Sequence, residues 1–283
     1  MRIRINGADA DIQLEAEKNV GEILCGLDSW LAGTGHRLSG LAVNGKAANS
    51  DSMDDCFDKS VDVVDTLDIT TSAIVELYAE SLFNTMQDID AYEAAGFEDK
   101  NRFAEQWKQS PQALLFADQS PELFDWAIAV FSGEGVSPQS FRMLLEERAG
   151  ELRDPAAEMA KIEPLVDEIC ARLEDLSLDI QTGKDARAAE TIRAFSGVAE
   201  KIFRIFNMLK LAGFPVGEIT VENAPITTYI TDFGTALREL LAAYEQHDTV
   251  LVGDLAEYEM APRLHRLHTA ILGAITRRNL CIP

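Results

Sequence analysis

The chain has 283 residues, 47% of them hydrophobic and 26% charged, a globular rather than fibrous or disordered balance. Acidic residues outnumber basic ones by 48 to 25, and a formal charge of -23 repels phosphate backbones and anionic lipid. Nucleic-acid and membrane partners are thereby disfavoured, and the length points to more than one domain.

The chain opens with alternation: Ile3 and Ile5 between Arg2 and Arg4, Asn6-Gly7 as a type I′ turn, then Ala8, Ala10, Ile12 and Leu14 on the return. A β-hairpin is expected. Asn19 stands where it can cap a helix whose apolar stripe is Val20, Ile23, Leu24, Leu27 and Leu31, ended by Gly33. "LAVNGKAA" at 41–48 reads as a strand with a second Asn-Gly turn, and Val61, Val63, Leu67 and Ile69 hold one alternating register.

This β-β-α-β-β order, with Asn-Gly after the third strand, resembles the β-grasp fold of ubiquitin and of the ThiS and MoaD sulfur carriers. The resemblance covers about a quarter of the chain. It implies a carrier only where a free C-terminal Gly-Gly follows the last strand. Here "TTSAIVELYAESL" runs into a helix and the chain ends in "NLCIP", so the fold is expected without the carrier chemistry. The acidic stretch with Asp51, Asp54, Asp55 and Asp58 lacks the spacing of an EF-hand loop and reads as a solvated loop.

From Ser72 the apolar spacing changes to three and four. Ile74, Leu77, Tyr78, Leu82, Met86 and Ile89 form a first helical stripe. Ser110-Pro111, Ser120-Pro121 and Ser137-Pro138 then mark three helix starts, Ser as cap and Pro at the first helical position. Met159, Ile162, Val166, Ile169, Leu173, Leu176 and Ile180 step by three and four, and Pro164 predicts a kink or a restart within them. "QTGKDARAAE" fails as a phosphate loop, because Leu178 and Asp185 replace its first Gly and its Ser or Thr. It reads as a turn, with Gly183 closing one helix and Asp185 capping the next.

That next stripe is Ala188, Ile192, Phe195, Ala199, Ile202, Phe206 and Leu209. After a loop with Pro215, Gly217 and Pro225 the plan repeats, with Asp248 as cap between Phe233 to Tyr244 and Leu251 to Ile271. Two matched helix hairpins predict an antiparallel four-helix bundle. The segments "IQTGKDARAAETI" and "HDTVLVGDLAEYEMAP" are similar to helical bacterial proteins of uncharacterised function, and the bundle resembles flagellar export chaperones at the level of fold alone.

Candidate chemistry is sparse. His265 and His268, three residues apart near His247, Asp254, Glu257 and Glu259, are the best metal candidates. Pro262 stands where a di-iron Glu-x-x-His pair needs Glu, so a hydrated face is the stronger reading. G-x-S-x-G and S-x-x-K are absent, and Cys25, Cys56, Cys170 and Cys281 form no C-x-x-C pair and are expected to be reduced thiols. Trp30, Trp107 and Trp126 are expected in the core, with Trp107 in "AEQWKQS" the one to watch for exposure.

The expected architecture is α+β: a β-grasp domain over residues 1–71, a helical connector over 72–153 and a helical bundle over 154–283. A non-catalytic adaptor, scaffold or chaperone-like protein is the expected function. Trp107 or the string Asp254, Glu257 and Tyr258 would meet a protein partner, and no cofactor is called for. The alternative is an enzyme or enzyme subunit with a metal or acidic site in the helical region, and homo-oligomer formation is left open. The start lacks a basic leader, and "WAIAVF" and "AILGAI" are far shorter than the ~20 residues of a membrane span, so a cytoplasmic protein is expected.

Overall fold

The computed structural model describes residues 1–12, 14, 16–48 and 52–278. Asp51 and Cys281 lie outside the described residues, as does the side chain of Asp54. The chain forms two compact units, Met1–Met143 and Leu144–Pro283. It is an α+β protein, a small N-terminal sheet followed by helices.

In the first unit, β1 (Arg2–Ile5) turns back into β2 (Ala8–Asp9) through Asn6 and Gly7, whose φ angles of 49° and 82° are those of a type I′ turn. Helix α1 (Val20–Ala32) starts where Asn19 accepts a hydrogen bond from the Glu22 amide. Strand β3 (His36–Val43) turns at Asn44 and Gly45, again both at positive φ, into β4 (Lys46–Ala47). A short helix α2 (Met53–Phe57) leads to β5 (Thr66–Ala73). The sheet order is β2-β1-β5-β3-β4, with β1 parallel to β5 and the remaining pairs antiparallel.

Ile3 pairs with Leu67 and Ile5 with Ile69, while Leu41 and Val43 pair with Ile69 and Leu67 from the other side. This register lines up one apolar face, which buries Val20, Ile23 and Leu24 of α1. Two expectations fail here. Val61 and Val63 lie in a 3₁₀ turn ahead of β5, and Val63 is 65% exposed. The second strand stops at Asp9, with one more bond from the Ala10 amide to the Ile3 carbonyl, so the alternation does not carry the strand on to Ile12.

Helix α3 (Ile74–Ala94) follows β5 without a break. Then come α4 (Phe97–Trp107), α5 (Pro111–Gln119), α6 (Pro121–Phe131) and α7 (Pro138–Arg153). Ser110 and Ser137 cap as expected, through the Ala113 and Ser140 amides. Ser120 does not: its hydroxyl meets the Tyr78 hydroxyl at 2.8 Å, leaving its backbone carbonyl to accept from Leu123 and Phe124.

In the second unit, α8 (Pro155–Glu174) runs on through Pro164, so of the expected kink or restart the restart does not occur. The interruption comes instead at Asp175, before α9 (Leu176–Gln181). Helix α10 (Asp185–Leu211) has Lys184 at its cap position, and Asp185 is its first residue rather than its cap. A two-stranded hairpin, β6 (Thr220–Val221) and β7 (Ala224–Pro225), occupies the loop before α11 (Ile226–Glu245). Its strands are too short to show an alternating pattern.

Asp248 accepts from the Leu251 amide and starts α12 (Thr249–Asp254). The next turn, Leu255–Met260, is a π-helix that passes into α13 (Ala261–Arg278), with the Ala261 amide donating to the Ala256 carbonyl. Pro262 accounts for the wide turn, since it cannot donate to the Tyr258 carbonyl and its ring would strike it in a regular helix. One apolar core joins α8, α10, α11 and α13.

Helix α12 meets α9 closely at Gly253, where an added Cβ would lie 2.5 Å from the Ser177 Cβ. Gly253→Ala is therefore expected to destabilise by about 1–3 kcal/mol through overpacking, despite better helix propensity. Gly273→Ala in α13, where an added Cβ meets nothing within 4 Å, should stabilise by up to about 1 kcal/mol. Urea midpoints of the two variants against the parent check both signs.

Candidate functional site

Helix α1 lies across the middle of one face of the five-stranded sheet and leaves an apolar groove on each side. The first, about 450 Å³, is lined by Ile5, Ala10, Ile12, Leu14, Ile23, Leu27 and Trp30, with Asp11 and Glu17 as its charged groups. Trp30 is 64% exposed, although a core position was expected for it. It falls on α1 one turn after Leu27 and projects over this groove rather than into the sheet. The second groove, about 470 Å³, is formed by Leu24, Cys25, Leu38, Leu41, Met53 and Phe57, with Asp28 as its charged group. Covering the exposed part of the Trp30 indole, on the order of 100 Å², would contribute about 2–3 kcal/mol to an association.

Trp107, expected as the exposed indole, is buried. It packs against Phe116, Phe124 and Phe131, and its Nε1 donates to Asp88 at 3.1 Å. Its polar neighbours in sequence mislead because they occupy the outer face of α4; the i, i+4 spacing of Phe103 and Trp107 marks the inner one. Asp254 and Tyr258 are exposed and Glu257 is half-buried, on α12 and the wide turn after it. Hydrogen bonding to Glu257, with the negative charge of Glu257 and Asp254, holds the Tyr258 hydroxyl above its ordinary pKa.

The two metal candidates diverge. His268 is buried, and its Nε2–H donates to the Met159 carbonyl at 2.8 Å, tying α13 to α8. His265 is exposed, with Nε2 3.6 Å from Asp167. No group of three or more His, Cys, Asp and Glu side chains converges to hold a metal among the described residues. Cys170 donates to the Ala261 carbonyl, and burial, then the charges of Asp167 and Glu174, pushes its thiol up to about 11. A thiol so protonated is a poor nucleophile near neutral pH.

A charged cluster that sequence reading missed lies in the second unit. Lys201 on α10 donates to Glu147 and Glu158, each at 2.9 Å. Arg204 donates to Glu151, which is 3% exposed and also faces Arg148. Lys161 bonds the remaining side of Glu158. The residues come from α7, α8 and α10; Arg148–Glu151 and Glu158–Lys161 are three apart within one helix, but no spacing relates the three helices to one another.

Burial alone would push the Glu158 carboxyl up, but the hydrogen bonds and charge of Lys161 and Lys201 outweigh it and leave it below the usual range. Glu147 is lowered in the same way, by Lys201 and more weakly by Arg148 and Arg204. Burial lowers Lys201, and its bonds to Glu158 and Glu147 more than restore it, leaving it raised. These groups are fixed charges near neutral pH, suited to holding helices together rather than to moving protons.

Residues 1–73 match the family described as TP0873 N-terminal domain, and the match ends on the last residue of β5. Residues 158–270 match one described as a domain of unknown function, DUF8042. Over 272 residues, 96% of each chain, the protein is similar to an uncharacterized protein of Treponema pallidum (strain Nichols) at 22% identity. No solved structure matches. No helix among the described residues is long and apolar enough to cross a membrane.

The lowered carboxyls contribute stability that is present above their unfolded pKa of about 4.3 and is lost as pH falls through their folded values. The raised Lys201 contributes below about 10.4 and loses its contribution as pH rises through its folded value. The cluster thus stabilises the second unit across the neutral range. Lys201→Met should cost about 1–3 kcal/mol at pH 7, taking from the buried Glu158 one of its two bonded cations and from Glu147 its hydrogen-bonded lysine, and should flatten the loss of stability on acidification to pH 3. Urea unfolding at both pH values checks this.

Proposed function

We propose that the chain is a non-catalytic adaptor or scaffold that grips other proteins, with chaperone-like binding as one form of that work. The single observation that carries this reading is the apolar groove beside α1, with Trp30 64% exposed at its rim. A large exposed indole over an apolar groove is the chemistry of a protein-binding anchor. The half-buried Ile5 and Leu27, with the buried Ile23, supply its floor, and Asp11 and Glu17 its polar margin.

The sheet of residues 1–71 fits a β-grasp arrangement, supported by the parallel β1–β5 pair at its centre and one helix across its face. Its last strand runs directly into α3 at Ile74, so in this reading the sheet presents a surface rather than a reactive tail. The second unit fits an antiparallel four-helix bundle built from α8, α10, α11 and the helix running through α12 to α13, supported by their common core.

The test uses the full chain with a photo-crosslinking amino acid in place of Trp30, irradiated in its native cells. A discrete adduct with another protein, lost when Ile12→Asp places a charge in the groove, is the expected result. Only diffuse or absent adducts would overturn the reading. A stability contrast accompanies it: Trp30→Ala should change unfolding by less than about 0.5 kcal/mol, and Trp107→Ala should cost about 3–5 kcal/mol.

A further inference from the structure

Helix α12 and the wide turn after it bury one side and leave the other to solvent. Val252, Leu255, Ala256 and Met260 join the core. On the opposite side Val250, Asp254 and Tyr258 recur every four residues, flanked by Leu251 and Glu257. Val250 is 65% exposed and Tyr258 66%, two large side chains that stand one above the other on this side and so form a joint patch. Tyr244, near the end of α11, adds a further exposed ring.

The segment that carries this face has charge of one sign along the sequence. Residues 239–262 include six acidic side chains and no lysine or arginine. Glu259 is engaged by Arg263, and Asp248 by the amide of Leu251. Asp254 and Glu257 have no ion pair among the described residues.

We propose that this face docks a cationic amphipathic helix of another protein. The partner's apolar stripe would cover Val250, Leu251 and Tyr258, while its Lys or Arg residues, one turn away, would meet Asp254 and Glu257. The exposed ridge spans nine residues, eight steps of about 1.5 Å or about 12 Å, enough for two turns of a packed helix to meet it. A second copy of this chain is a poor occupant, because a two-fold contact through this face would bring Asp254 and Glu257 toward like charges. The proposal rests on the reading of the chain as a binder of proteins but concerns a surface separate from the groove at Trp30.

The experiment is fluorescence anisotropy on the full chain at 150 mM salt, with a labelled 18-residue Leu/Lys amphipathic helical peptide as probe. A scrambled peptide of the same composition and a Leu/Glu peptide with the same apolar stripe are the controls. Saturable binding is expected, weakened at least ~10-fold by scrambling, by Asp254→Asn with Glu257→Gln, and by Val250→Ser with Tyr258→Ser. Glu93→Gln with Glu98→Gln, exposed acids of the first unit, should change it less than ~2-fold, as expected for a local rather than a diffuse attraction. Thermal melts confirm that each variant is folded.

Equal binding of the scrambled peptide, or equal loss in the Glu93 and Glu98 variant, would reduce the effect to net charge and overturn the proposal. So would tighter binding of the Leu/Glu peptide, or the absence of saturable binding. Dimerisation of the parent chain, abolished by Val250→Ser with Tyr258→Ser in sedimentation, would assign the face to a second copy and also overturn it. None of these outcomes affects crosslinking at position 30, so the two readings fail separately.

Discussion

A single helix of thirteen residues has to cover one face of a five-stranded sheet, and its width does not allow it. A helix with its side chains is ~10 Å across, while five strands spaced ~4.8 Å apart present nearly twice that. The sheet face is apolar on β1, β3 and β5 because the parallel β1–β5 pair and the antiparallel β3–β5 pair share one register. Val20, Ile23 and Leu24 cover the centre. What remains on either side is the pair of grooves, and the position of Trp30 follows from the same mismatch.

The second unit meets a different constraint, close approach between helices. Gly253 lets α12 come against Ser177 of α9, and His268 uses its ring nitrogen to bond a backbone carbonyl of α8. Pro262 widens the turn before it, because a regular helix would bring the proline ring onto a carbonyl. Val252, Leu255, Ala256 and Met260 face the core on this stretch, and Val250, Asp254 and Tyr258 face outward.

Charge is used in two ways. A chain with an excess of acids concentrates several of its cations, Arg148, Lys161, Lys201 and Arg204, around Glu147, Glu151 and Glu158. There each carboxylate is bonded and the desolvation cost of burial is offset. On α12 and the turn after it, Asp254 and Glu257 stand without such cations among the described residues. The same residue type is tied into the packing in one place and left to solvent in the other, and the difference is whether a basic side chain from another helix reaches it.

Period and turn chemistry were enough to read the hairpins at Asn6-Gly7 and Asn44-Gly45, the cap at Asn19, the change from strand to helix after Ala73, and the apolar seams of α8, α10, α11 and α13. These are local: a φ angle, a free amide or a repeat of 3.6 is decided by neighbours within a few residues. Legibility failed where a distant side chain took part. Ser120 gave up its cap to Tyr78, Trp107 was drawn inward by phenylalanines of α5 and α6, and the Lys201 cluster united three helices with no common spacing. The candidate grooves were illegible for the same reason, since each is bounded by segments that meet only after the sheet has formed. Sequence by itself determined which faces must leave water; tertiary structure alone decided how completely they were covered, because coverage depends on the widths and approach distances of whole elements.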